Sequence, residues 1–428
     1  MIRFPLVLVR ATAVAIMASV LFTPFSQLIT RMKVLGITRL FGPIQNIHGE
    51  DLSVIPDTPF TEDLHYHTPS GLLFGASEGD QKTRATWFPP LAIWKDPRLI
   101  GRGTIVVTDT KTMRATRLTL RDFDGPYNTH GIDIYSPRDD PTSVYIAAVN
   151  HLPNPEYYNS PNAPKNSKIP KARSRLELFH HEIGTSEATH IRSIWHPLIR
   201  TPNDVLFKSL NEIYVTNDHY YREGPMRPIE MFALGNLAPW TDLIHLRIDD
   251  PLSKVANDTG VTGEAAIKGL QSNNGLGHGR TPSEVMVVRA LTGELVLAEV
   301  DKQNPPKLRV NETIQLDSTL DNPSYFSDPY AEKTGRDASG YVLAGMAQAI
   351  AFPNGLDPAM VWLVQPTTKG KQKWTRRLIF QDDGRIIRTA STAILVAVDP
   401  ETNDGKKQAH LFVTGPLGQG IVVSKIDL

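Results

Sequence analysis

Six short stretches of this chain carry residue types that suit hydrolytic or metal chemistry. They are HGED at 48–51, NTHGIDIY at 128–135, AAVNHLP at 147–153, TPNDV at 201–205, NNGLG at 273–277 and LDNPS at 320–324. Carboxylates mixed with amide carbonyls are what Ca²⁺ takes, about six to eight oxygens in flexible geometry. Amide oxygens lower the charge of such a site without removing ligands, which leaves the cation free to attract a substrate oxygen. A histidine beside it can act as base for a water that attacks a polarised carbonyl. Each stretch also has an ordinary structural reading. Asn-Asp is turn chemistry, because both side chains bond their own backbone, and Asn-Gly is a common hairpin signal. His130 before Gly131 equally suits a hydrogen-bonded core histidine.

The elements that must position these residues are strands. Runs such as TIVVTDT (104–110), GIDIYS (131–136), SVYIAAVNH (143–151) and RLELFHHE (175–182) are broken by Gly, Pro, Asn and Asp. The same pattern continues in VMVVRALTGELVLAEV (285–300), AILVAVDP (393–400), AHLFVTGP (409–416) and GIVVSKIDL (420–428). Several alternate apolar and polar residues, as half-buried antiparallel strands do. LTGE at 291–294 and DDG at 382–384 fit hairpin connections. Helical periodicity is convincing only near the N-terminus, so the chain is all-β. There are too many strands for an immunoglobulin-like sandwich, and repeated four-stranded blades suit them better. Six blades would average about 60 residues, longer than the usual repeat of about 40–50. Polar, proline-rich loops at 154–174, 249–264 and 329–340 take up the excess.

Lys+Arg and Asp+Glu both number 45 in 428 residues, which argues against a nucleic-acid partner. The first 49 residues hold Arg3, Arg10, Arg31, Lys33 and Arg39 and no acid. Within them the uncharged run ATAVAIMASVLF at 11–22 has the layout of a signal peptide or signal anchor. Residues 1–40 are therefore expected to serve as an entry signal to the secretory pathway or a membrane anchor. Residues 41–428 would form one domain. Sequons at Asn257 and Asn311 are compatible with a lumenal location. With no cysteine in the chain, disulfides and thiolate metal sites are excluded.

Taken in order, the dispersed motifs resemble the serum paraoxonase/arylesterase family. The resemblance rests on GEDLSVIPDT…GLLFGAS (49–77), HGIDIY, VYIAAVNH, RTPNDVLFKSLNEIYVTNDHYY (200–221) and LDNPS. It implies a six-bladed β-propeller with two calcium ions, one catalytic and one structural, that hydrolyses lactones and aryl esters. Carried onto this chain, it assigns Glu50, Asn203, Asn274, Asp321 and Asn322 to the catalytic calcium. Asn274 is preferred to its neighbour Asn273 because it directly precedes Gly275. Asp51, Asp204 and the backbone carbonyl of Ile132 would hold the structural calcium. His130 would be the general base, and His151 a second histidine that tunes it or shuttles its proton. Asn217-Asp218 and His219, although within a shared motif, are read as turn and core residues.

Two departures stand out. The family's disulfide between the ends of the propeller cannot form here, so closure is expected to rest on pairing of terminal strands. Where the family has a further histidine in a Cys-His-Pro-Asn-like stretch, this chain has GMAQAIAFPN (345–354). The expected activity is calcium-dependent hydrolysis of small lactones or esters. The alternative is a catalytically silent, calcium-stabilised propeller that binds a partner.

Overall fold

The computed structural model describes residues 25–159, 168–232, 237–352, 355–367 and 373–428. The apolar run at 11–22 lies outside the described residues. Among the described residues, no helix is long and apolar enough to cross a membrane. Residues 25–34 form a helix that precedes the strands.

Among the described residues, six sheets of four or five strands form the blades, and a two-stranded hairpin, Trp87–Phe88 with Ile93–Trp94, lies outside them. Blade 1 is Thr61–His67, Leu72–Ser77, Thr104–Asp109 and Arg114–Arg117. Thr129–Tyr135, Ser143–Asn150, Arg175–Glu182 and Glu187–Ile194 make blade 2, to whose last strand Thr119–Arg121 is added in parallel. Blade 3 comprises Pro202–Ser209, Glu212–Asn217, Thr241–Ile248 and Val261–Leu270. Blade 4 comprises Asn273–His278, Glu284–Arg289, Glu294–Val300 and Leu308–Gln315. Pro323–Phe326, Gly340–Met346, Ala359–Pro366 and Trp374–Asp382 form blade 5. Blade 6 takes Thr392–Ala397, Gln408–Thr414 and Ile421–Asp427 from the C-terminus, and its fourth strand is Glu50–Ile55 from the N-terminal side. The expected closure by terminal strands is thus present: Ser53, Val54 and Ile55 pair with Val423, Val422 and Ile421.

The core follows from the period of two along each strand, which sends alternate side chains to opposite faces of a sheet. In Glu284–Arg289, Val285 and Val287 pack toward blade 3, while Met286 and Val288 pack toward blade 5. Six buried apolar clusters result, one in each seam between neighbouring blades. The last seam joins Ile394, Phe412, Ile421 and Ile55 of blade 6 to Leu64 and Leu73 of blade 1, closing the ring. LTGE at 291–294 is a hairpin connection, with Gly293 at φ 67. DDG at 382–384 is not: it leads from the last strand of blade 5 toward blade 6, with Gly384 at φ 91.

Innermost strands have no neighbour on the axial side, so their backbone N–H groups need other partners. Carboxylates supply them. Asp63 accepts from Ile132 N at 2.9 Å, Asp133 from Phe207 N at 2.7 Å, and Asp204 from Leu276 N at 2.6 Å. Each bond links one blade's inner strand to the next.

Candidate functional site at the propeller axis

Five polar residues that line the axial cavity come from the start of the inner strands or the residues just before it. Thr61-Glu62-Asp63 opens that of blade 1, Thr129-His130-Gly131 that of blade 2, and Pro202-Asn203-Asp204 that of blade 3. Asn273-Asn274-Gly275 opens that of blade 4, and Asp321-Asn322 immediately precede Pro323 in blade 5. Glu62, His130, Asn203, Asn274 and Asp321 face one cavity of about 260 Å³. Close approach at these strand starts demands glycine. A Cβ on Gly131 would lie 2.3 Å from Asp204 Oδ1, and one on Gly275 would lie 2.6 Å from Asn322 Oδ1.

This geometry corrects two assignments. Glu50 and Asp51 are on the outermost strand of blade 6, far from the axis in strand order, and both are exposed. Asp51 sits at a bulge with φ 53 and reaches Lys425 Nζ at 3.3 Å. The acidic pair at the axis is Glu62-Asp63, twelve residues later, with Glu62 2% and Asp63 0% exposed.

Buried oxygens around the cavity lack donors. Oδ1 of Asn203, Asn274, Asp321 and Asn322 all have no hydrogen-bond partner, a costly arrangement unless something electropositive faces them. The amide nitrogens are turned away from that point: Asn322 Nδ2 donates to Glu62 Oε1 at 3.3 Å and to Thr392 Oγ1 at 3.1 Å, and Asn203 Nδ2 lies 3.4 Å from His130 Nε2. Burial, then Asp321 and Asp63, push the Glu62 carboxyl well above its usual range. Asp321 is raised by burial, Asp63 and Asp218, and Asp204 by burial and Asp63. Among the described residues no three His, Cys, Asp or Glu side chains form a metal site by themselves. The donor set here is instead amide oxygen with carboxylate, which fits a hard cation such as calcium. Asn273 is also buried with an unpartnered Oδ1, so the choice between it and Asn274 rests on Gly275 alone.

Asp63, Asp204 and Ile132 meet just beyond these residues along the inner strands. Asp63 and Asp204 are fully buried, and Asp63 Oδ2 holds Ile132 N. Further along, His65 bridges the two carboxylates nearest it, with Nε2 3.3 Å from Asp63 and Nδ1 3.3 Å from Asp133. Burial opposes its charge, but Asp63 and Asp133 raise it to about 9.

Two histidines form the wall beside Glu62. His130 Nε2 lies 3.8 Å from Glu62 Oε1, and its Nδ1 lies 3.0 Å from His151 Nε2. His151 Nδ1 reaches Ser174 Oγ at 2.8 Å, and its carbonyl accepts from Trp87 Nε1 at 2.9 Å. Phe88 stands edge-on to both rings at 5.2 and 5.9 Å. The guanidinium of the buried Arg84 stacks on the same Phe88 at 4.2 Å. Burial lowers His130 to about 4 and lowers His151 as well, so both imidazoles are neutral at pH 7.

Asp218 and His219 belong to this cavity rather than to a plain turn. Both line it, and His219 Nδ1 lies 2.9 Å from Asp218 Oδ1. Burial works against the Asp218 charge, but His219 and Arg227 hold the carboxyl at about 2. Nothing in the Asn-Asp-His string distinguishes this pair from a turn. Ser174 and Phe88 were likewise invisible, because what brings them to the histidines is tertiary packing.

The fold and cavity define a class: six-bladed propellers whose axial site is built from the first residues of their inner strands. No family model matches the chain. Among curated proteins it is 25% identical over 299 residues to serum paraoxonase/arylesterase 2 of Bos taurus, covering 68% of this chain and 71% of that one. It is 26% identical over 296 residues to serum paraoxonase/arylesterase 2 of Homo sapiens, covering 68% and 71%. A solved luciferin-regenerating enzyme aligns over 90% of this chain and 96% of its own at TM-score 0.44 and 9% identity. The chain is thus similar to the serum paraoxonase/arylesterases over about two thirds of its length, in agreement with its motifs.

Proposed function

We propose that the protein hydrolyses carboxylic esters, with lactones and aryl esters as its substrates, at a calcium-dependent centre on the propeller axis. One observation carries this reading: three buried, donor-less oxygens, of Asn203, Asn274 and Asp321, face the same cavity as His130, whose ring is hydrogen-bonded to His151. Glu62, Asn203, Asn274, Asp321 and Asn322 would hold the catalytic calcium, and Asp63, Asp204 and the Ile132 carbonyl the structural one. Calcium bound at the first set would polarise a substrate carbonyl and offset the clustered carboxylates.

The side chains then divide the proton chemistry. His130 can act as base from Nε2 only if its proton sits on Nδ1, where it donates to His151 Nε2. That places the His151 proton on Nδ1, donated to Ser174 Oγ, and fixes both rings. His130 takes a proton from water as the water oxygen adds to the carbonyl carbon. The ester C–O bond then breaks, and the protonated His130 returns its proton to the leaving alkoxide, giving an alcohol and a carboxylic acid that ionises in water, or one hydroxy acid from a lactone. Phe88 and the apolar walls limit water around the imidazoles, which keeps them uncharged and so free to accept a proton at neutral pH.

The test is metal content and hydrolysis of phenyl acetate and a γ-lactone by the purified protein and by His130→Gln. Two calcium ions per chain, turnover by the native protein and a loss of about 10²–10⁴ in kcat for the variant are expected. Bound calcium with no turnover of either substrate would leave a calcium-stabilised binding propeller instead.

A further inference from the structure

The roof of the cavity is supplied by the segment that precedes the propeller. Leu35, at the end of the helix 25–34, lines the cavity together with Leu91, Met231, Leu291, Met346 and Ile350. Leu35 is 6% exposed and Val34 0%. Helix and roof are fastened to that same rim. Arg31 donates from Nη2 to Met231 O at 2.7 Å and from Nη1 to Leu291 O, so one guanidinium ties the helix to two lining residues. The Leu35 carbonyl accepts from Ile350 N at 3.0 Å, a third lining residue. Gly36 turns the chain at φ 74, where a Cβ would lie 2.0 Å from Ala347 O, so the backbone is seated directly on the wall. Glu62, His130, Asn203 and Asp321 come from strand starts at the axis and Asp218, His219 and Glu230 from connecting segments, whereas Leu35, Leu91, Met231, Leu291 and Ile350 come from the segments around them and from the end of the helix.

A cavity with polar groups at its axial end and apolar ones under a roof suits a ligand with a carbonyl head and an aliphatic tail. We propose that Leu35 is a specificity-determining residue: it closes the apolar end of the cavity and sets the length of the unbranched aliphatic tail that a lactone or ester substrate carries. The proposal rests on the hydrolase reading, and it makes the N-terminal segment part of the substrate site.

The experiment uses the full chain with calcium and compares a γ-lactone bearing an eight-carbon tail with one bearing a methyl group. Leu35→Trp should lower the ratio of kcat/KM, long over short, by about tenfold or more, the scale on which methylene-sized pocket changes discriminate. Leu35→Ala, which folds if the bulkier variant does not, should raise the same ratio for a twelve-carbon tail. Ratios that stay within about twofold in both variants overturn the proposal. If the native protein turns over neither lactone, the hydrolase reading fails separately, and titration with dodecanoate and butyrate decides the tail site. Weaker dodecanoate binding in Leu35→Trp, with butyrate changed less, upholds it; equal changes in the two overturn it.

Discussion

Oxygen atoms without donors are the sharpest statement the cavity makes about itself. Asn203, Asn274, Asp321 and Asn322 keep Oδ1 buried and bare, a need that the proposed cation would meet. Glu62→Gln should weaken calcium binding at the axial site by about a hundredfold, whereas Glu50→Gln should change it less than about twofold, both read by calorimetric titration. The reverse outcome would restore the outer pair. Behind the base, Ser174→Ala should lower kcat by about tenfold with KM unchanged, and Ser174→Thr should recover most of it, since only the hydroxyl fixes the His151 ring. Burial lowers His130 to about 4, and a base works when unprotonated, so the lower value extends activity toward acid. The kcat/KM profile should therefore hold to about pH 5, and an acid limb near pH 6.5 would show that His130 is not the base.

Strands explain why these residues meet. Every candidate ligand lies at the start of an inner strand, where five blades converge, and glycine at 131 and 275 lets neighbouring strands approach. Gly131→Ala would drive a methyl to 2.6 Å from Asp204 Cα, which no rotamer change relieves. A loss of about 3 kcal/mol in denaturant unfolding is expected, and an unchanged midpoint would mean that the strands have slack. Much of this was legible in the sequence. The strand runs, the turn at Gly293 and the axial placement of His130 and Asn203-Asp204 follow from patterned residues and from motif order. The acidic pair was misplaced because Glu-Asp occurs at 50–51 and again at 62–63, each near the start of a strand. Sequence order does not reveal that the earlier strand is the outermost of the last blade. One signal was available: FTEDLHYH at 60–67 opens a blade as NTHG, TPND and NNG do, with a polar residue second in the strand. Asp218, His219, Ser174 and Leu35 carry no such signal, since facing a cavity depends on how blades and the N-terminal helix are set against one another.

At the scale of the molecule, a ring without disulfides must be held by its seams, its terminal strand and its axis. Deleting residues up to 55 removes the outer strand of blade 6 and Ile55 from the closing seam. The shortened chain should lose its single sharp thermal transition, and a transition like that of the full chain would show that Glu50–Ile55 does not close the ring. Burial, then Asp321 and Asp63, raise Glu62, so a cation bound among these carboxylates, as proposed, would serve chemistry and stability together. Saturating calcium at about a thousand times Kd should add about 4 kcal/mol per site to unfolding. The most direct test of the central claim is hydrolysis of a γ-lactone by the purified protein, followed through removal of calcium with a chelator and its restoration. Activity that disappears on chelation and returns with calcium while the protein stays folded is the predicted result; undiminished hydrolysis in chelator would contradict the account.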